Sequence, residues 1–300
     1  MTLTQLETNC LEAFRHQRAP DLDAARSEKD AWLLFGLSVA LEAGKWIREI
    51  RSRPLAGIVQ FKDDGSPVTE IEIEIELLCR RRLQSFSPTT SIIGEETAGE
   101  LPTTGVAVAI DPIDGTWALL NRTATCAVSL AVFRDGSPFC GIVLNPATGE
   151  MSYSLSGERT RLLQVSAFGE DDFACDLPLS QVREAPVLVN LHPSRNAGPI
   201  AANFFSAWKE SVFRMVRMAG GSPAWALLEV AKGSFAYVNL WSPKPADAFD
   251  LAAGVLLVQG AGGQVTDLTG QPIEPVGHEG PFVASLEEST QNIISAIVAR

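Results

Sequence analysis

Apolar positions along this chain change period several times, and the changes mark its elements. From Ser27 to about Arg51, Trp32, Phe35, Val39, Ala43, Trp46, Ile47 and Ile50 recur at helical spacing. Ser27 is a suitable N-cap with Asp30 three residues on, acids open the segment, Arg48 and Arg51 close it, and Pro54 stops it. A shorter helix is predicted over residues 2–17. Thr69 to Glu76 alternates strictly between polar and apolar, which is strand chemistry. Yet Thr69 with Glu72 is a capping box, and the segment runs unbroken to Arg82. The reading is a helix with Ile71, Ile75 and Leu78 on one face, its start placing Glu70 and Glu72 beside the turn described below.

Short bounded apolar runs predict strands at Leu55–Lys62, Ser91–Ile93 and Val106–Ile110, the last fully buried. Ala127–Phe133, Pro138–Leu144 and Met151–Leu155, separated by Gly- and Pro-bearing turns, predict an antiparallel meander. Beyond it strands and helices alternate. The strands are Val187–Asn190, Val212–Val216, Ala236–Leu240, Val265–Asp267 and Phe282–Ser285. The helices are Pro199–Lys209, Ser222–Lys232, a segment opened by Asp250 and ended by Gly260, and Glu287–Ala299. Ser222, Pro223 and Gly233 stand as N-cap, N1 and C′ of one of these. The pattern divides the chain into an α+β half over residues 1–157 and an α/β half with a mixed sheet over residues 158–300.

Composition narrows the function. A 300-residue chain with 46% hydrophobic and 20% charged residues is an ordinary globular protein. A formal net charge of −12 argues against binding a nucleic-acid polymer. It does not argue against a small phosphorylated substrate, because a bound metal supplies its own positive charge. No apolar run is long enough to span a membrane and no signal peptide is visible. The five scattered cysteines form no C-x-x-C, which predicts a reducing, cytoplasmic setting.

The candidate chemistry lies where the buried strand ends, in Asp111-Pro112-Ile113-Asp114-Gly115-Thr116. Two carboxylates leaving a buried strand need neutralising, and Mg²⁺ suits such a donor set. Gly115 and Thr116 follow with backbone N–H groups and a hydroxyl that suit an anion. Asp-x-x-Asp-Gly alone is also ordinary turn chemistry, and Asp250 alone is an ordinary N-cap. What changes their weight is the order of segments around them. Lys62-Asp63-Asp64-Gly65-Ser66-Pro67-Val68-Thr69 comes first, then Gly94-Glu95-Glu96, then the Asp111 turn, then Asp250-Leu251-Ala252-Ala253-Gly254 and Gly260-Ala261-Gly262-Gly263.

In this order the segments resemble the inositol monophosphatase family, the Mg²⁺-dependent, lithium-sensitive phosphomonoesterases related to fructose-1,6-bisphosphatase. The resemblance spans about residues 62 to 263. It implies a layered α-β-α-β-α sandwich of the sugar phosphatase type, antiparallel in its first sheet and mixed in its second. It implies two or three Mg²⁺ ions. Glu95 and Asp111 with the carbonyl of Ile113 would hold the first, and Asp111, Asp114 and Asp250 the second. Thr116 matches the family threonine that orients the attacking water. Its partner carboxylate, usually Asp, is Glu72 here. Phosphate would rest on Gly115 and Thr116, and substrate hydroxyls would meet Gly221, Ser222 and Asn239. Asn239 stands where the family carries an acid, and Phe249 where Trp is common. The implied substrate is inositol monophosphate, with fructose 1,6-bisphosphate, 3′-phosphoadenosine 5′-phosphate and histidinol phosphate as rivals. A homodimer is also implied. The alternative of another class is a non-catalytic relative that keeps fold and metal, which Glu72 and Asn239 keep open. Arg159 and Arg161 are read as a solvated pair rather than a second phosphate site, Lys62 as structural, and His16, His192 and His278 as outside the chemistry.

Overall fold

The structure is a computed structural model that describes residues 3–52, 59–62, 67–97, 99–165, 172–179, 186–190, 197–240 and 248–300. Helices α1 (Gln5–Arg15), α2 (Glu28–Arg51) and α3 (Glu70–Phe86) begin the chain, with a two-stranded hairpin of β1 (Val59–Phe61) and β2 (Pro67–Thr69) before α3. The Asp63–Ser66 turn and the first half of the expected strand before it lie outside the described residues. The segment with two readings, from Thr69 to Arg82, is a helix. Glu72 accepts a hydrogen bond from the Thr69 N–H at 2.5 Å, and that reciprocal cap decides against the alternating pattern.

A seven-stranded sheet follows, in the order β3 (Ser91–Gly94), β4 (Val106–Asp114), β5 (Ala127–Arg134), β6 (Ser137–Leu144), β7 (Glu150–Leu155), β8 (Arg161–Gln164) and β9 (Phe173–Asp176). Two expectations change here. The sheet is not wholly antiparallel, because β3 and β4 pair in parallel. It also runs past the expected division at residue 157: β8 and β9 lack a strong alternating signal but complete this sheet's edge. The short helix α4 (Thr116–Leu120) leaves the end of β4.

The second sheet has the order β11-β10-β12-β14-β13, from β10 (Val187–Asn190), β11 (Val216–Met218), β12 (Ala236–Asn239), β13 (Gln264–Asp267) and β14 (Phe282–Ser285). It is mixed, as expected: β10 pairs in parallel with β11 and β12, and β14 is antiparallel to β12 and β13. Its helices are α5 (Ala197–Lys209), α6 (Pro223–Lys232), α7 (Ala248–Gly260) and α8 (Glu288–Val298). The strand expected at Val212–Val216 starts only at Val216. Phe213 plugs the space between Phe204 and Phe235, so Val212 and Phe213 form a packed turn instead.

Contacts place α1–α3 on one face of the first sheet, α6 and α7 between the sheets, and α5 and α8 on the far face of the second. Four apolar clusters among the described residues fill the four gaps between these five layers. Alternation along β4 and β5 sorts the first two. Val108, Ile110, Val128, Leu130 and Val132 face α2, while Ala107, Ala109, Ala127 and Ala131 face α7. The alanine face lets α7 lie close to the sheet. At Gly141 a Cβ would come within 2.8 Å of the Ala253 carbonyl oxygen. Small residues therefore bring the first turn of α7, with Asp250, up to the end of β4.

Candidate active site

The site begins where β4 loses its regular register. Asp111 lies opposite Ser129 on β5, and a bulge separates it from Asp114. The Asp111 carboxylate accepts from the Ile113 N–H at 2.8 Å, closing a tight local turn. Gly115 then adopts φ +91°, and a Cβ there would sit 2.9 Å from the Ser222 Cβ, so both backbone and space call for glycine. Thr116 opens α4. Its hydroxyl donates to Glu72 Oε1 at 2.6 Å and lies 3.4 Å from the Ile113 carbonyl oxygen.

Glu72 is fully buried, and its second oxygen accepts from the Thr69 hydroxyl at 2.7 Å. Burial pushes its carboxyl up to about 7, against the hydrogen bonds from Thr116 and Thr69 that favour the charged form. Glu70 points to solvent and takes no part.

Asp114 Oδ2 accepts from the Ser222 hydroxyl at 2.8 Å and from the Ala224 N–H at 2.6 Å, which ties the start of α6 to the end of β4. On α7, the Phe249 carbonyl accepts from the Ser129 hydroxyl at 2.9 Å, next to Asp111 across the sheet. Asp250 is therefore held in the first turn of α7 beside the β4 acids. Glu95 follows β3, and Lys62 spans Glu95 and Glu96 at 2.8 Å each.

The electrostatics show one cluster. Burial raises Asp111 well above the usual carboxylate range, and the charges of Glu95, Asp114, Asp250 and Glu72 add to the rise. Burial and Asp250 likewise raise Asp114, against its bonds from Ser222 and Ala224. Asp111 and Asp114 are only 2% and 5% exposed. Mutually repelling buried acids require either protons or a cation. Among the described residues no three acids are drawn up as a closed metal cage. The reason lies in the contacts: Asp114 is turned onto Ser222 and Ala224, and Glu95 onto Lys62. The donor set of hard oxygens in a field of surplus negative charge nonetheless fits Mg²⁺. Glu95, Asp111, the Ile113 carbonyl, Asp114 and Asp250 are the residues that would hold it.

Other expected residues take different places. The Ser222 hydroxyl serves Asp114 and also caps α6, accepting from the Trp225 N–H at 3.2 Å. Gly221 is exposed at φ +85°. Asn239 is buried and accepts from Asn190 Nδ2 at 3.2 Å. Arg161 binds Glu7 and Asp176 rather than standing solvated. Lys62, read as structural, contacts the acid cluster. Composition held no sign of that, because one lysine carries no pattern. Phe61 and Trp117, next in sequence to Lys62 and Thr116, were not singled out. They lie 6.3 Å apart by ring centroid and are 64% and 54% exposed. Exposed aromatics flanking a polar motif were the available signal.

The model of the inositol monophosphatase family matches residues 28–300. The chain belongs to the inositol monophosphatase family. Within that family it is 30% identical over 247 residues to a histidinol-phosphatase of Mycobacterium tuberculosis, covering 79% of this chain and 88% of that one. It is 28% identical over 238 residues to an inositol-1-monophosphatase of Bacillus subtilis, covering 77% and 85%. The solved structure of the extragenic suppressor protein suhB from Bartonella henselae superposes with a TM-score of 0.74 at 19% identity, over 90% of this chain and 99% of that one. The family fold is thus present almost end to end, and the family's activity makes this chain a phosphoric monoester hydrolase. The matched relatives carry different substrate names.

Proposed function

We propose that the protein is a Mg²⁺-dependent phosphomonoesterase acting on a small phosphorylated polyol, with inositol monophosphate as the first candidate substrate. The observation that carries the reaction is the 2.6 Å bond from Thr116 to Glu72 beside the buried acid cluster. Bound Mg²⁺ supplies charge neutralisation of the phosphate, a lowered pKa for the attacking water and stabilisation of the leaving alkoxide. The protein's own groups do the rest. The backbone N–H groups of Gly115 and Thr116 hold the phosphate. The Thr116 hydroxyl and Glu72 orient the water. Glu72, raised to about 7, is poised to take the water's proton near neutral pH. No covalent intermediate is required.

A second substrate reading has its own support. Phe61 and Trp117 offer exposed aromatic surface at the edge of the site. Aromatic faces stack on flat rings, which favours a phosphate ester whose alcohol carries an imidazole or a nucleobase. The deciding experiment is phosphate release from inositol 1-phosphate, fructose 1,6-bisphosphate, histidinol phosphate and adenosine 3′,5′-bisphosphate, with and without Mg²⁺. Mg²⁺-dependent release from inositol 1-phosphate above the others supports the first reading. Preference for the two ring-bearing esters, lost in Trp117→Ala, supports the second. No release from any, with Mg²⁺ still bound, supports the non-catalytic relative.

A further inference from the structure

Helix α3 carries two buried acids one turn apart, Glu72 and Glu76, both fully excluded from solvent. The proposed reaction uses only Glu72. Glu76 faces the loop after β3. Its Oε1 accepts from the Glu96 N–H at 2.6 Å, and its Oε2 accepts from the Thr97 hydroxyl. Arg80, a further turn along, donates to the same hydroxyl and to the Thr97 carbonyl at 3.3 Å. The fit is tight. A Cβ on Gly94 would lie 2.2 Å from the Glu76 carboxyl carbon, so glycine before Glu95 is needed to admit the carboxylate. A buried carboxylate held by an N–H and a hydroxyl is a strong, directional anchor.

We propose that Glu76 is a positioning residue for the metal-binding carboxylate of Glu95. It grips the backbone on the C-terminal side of Glu95, while Gly94 ends a strand paired with β4 on the other side. The backbone of Glu95 is thus fixed between two anchors, and its side chain starts from a set place. Helix α3 then serves both halves of the chemistry, orienting water through Glu72 and the metal loop through Glu76. The inference rests on the proposed Mg²⁺-dependent function. It concerns the loop's geometry, as partners behind a ligand typically set about 10–100-fold in metal affinity.

The test is calorimetric Mg²⁺ binding to metal-free wild type, Glu76→Gln and Glu76→Asp, with each folded state checked by thermal melting. Glu76→Asp keeps the charge and shortens the reach. The expected result is Mg²⁺ affinity weakened about 10–100-fold in both variants, with kcat at saturating Mg²⁺ changed far less. Gly94→Ala should weaken binding similarly in wild type and add little in Glu76→Ala, where the space is free. Wild-type affinity in Glu76→Asp, with loss only in Glu76→Gln, would show a pure charge effect and overturn the positioning role. Lowered melting temperature with unchanged affinity in both variants would overturn it as well. Wild type that binds no Mg²⁺ would instead sink the proposed function and this inference with it, and the failure of the unmutated protein tells the two cases apart.

Discussion

Two places that bury acids in this molecule treat them in opposite ways. Glu7 on α1 is fully buried, and Arg161 grips it with two bonds of 2.8 and 2.9 Å while Tyr153 donates at 3.0 Å. Burial pushes its carboxyl up, but those partners and the Thr4 N–H outweigh burial and hold it below its ordinary value. Asp111 and Asp114 are buried as well, and their carboxyls rise, first through burial and then through the charges of the neighbouring acids. Burial raises the carboxyl in both places; around Glu7 the donors and the positive charge reverse that rise, and around Asp111 and Asp114 the neighbouring acids add to it. The first arrangement fastens α1 to β7 and β8 and is a structural device. The second leaves an unmet demand for positive charge, which is how a fold reserves a place for a cation.

The sharpest way to break this contrast is Asp111→Asn. It should lower kcat by more than about a hundredfold, beyond what loss of a supporting partner costs. It should also raise the melting temperature of the metal-free protein, since one repelling charge is gone. Unchanged turnover in the phosphate-release assay would remove Asp111 from the site. The next largest effect belongs to the other cluster. Arg161→Met strands a buried acid and should cost roughly 3 kcal/mol of stability, read by denaturant unfolding, with kcat/KM retained. A loss of activity matching the loss of stability would mean the two regions are not separate.

Mg²⁺ sharpens the same distinction. At about a hundred times its Kd it should stabilise wild type by about 2.7 kcal/mol. The increment should persist in Arg161→Met and vanish in Asp111→Asn. An equal increment in all three, by thermal shift, would place the ion elsewhere. The smallest effect is in acid. Glu7 has a depressed carboxyl, so its contribution is present above its ordinary value near 4.5 and is lost as pH falls through the lower folded value. Between about 4.5 and the lower folded value, stability should therefore decline more steeply with falling pH in wild type than in Arg161→Met. Parallel acid limbs would show that Glu7 gains nothing from its partners.

Much of the site was legible because its residues are adjacent in sequence. Asp111, Asp114, Gly115 and Thr116 lie on one turn, and a buried strand followed by two acids is itself an electrostatic anomaly. Glu72 was legible through the capping box with Thr69. The helix boundaries around Ser27, Ser222 and Gly233 were legible because caps are local chemistry. Ser222 was misplaced in part: the local pattern showed its capping role but not its bond to Asp114, 108 residues away. The strands β8 and β9 were missed because they are short, and pairing with β7 and with each other fixes them in the sheet. Arg161 looked like a surface charge because its partner, Glu7, is 154 residues distant.

Sequence alone determined the helix caps, the elements with strong periodicity and, through the resemblance of its motifs, the family. These depend on interactions within a few residues, where spacing and backbone preference act directly. Tertiary structure decided which acids are compensated and which are not. A carboxylate is favoured beside Arg161, as in Glu7, and disfavoured beside Asp114 and Asp250, as in Asp111, because its free energy depends on what charge stands a few ångströms away. That neighbour is chosen by the packing of α1 on the first sheet and of α7 on its alanine face. Packing, not local pattern, therefore separates the acid that holds the fold from the acids proposed to serve the reaction.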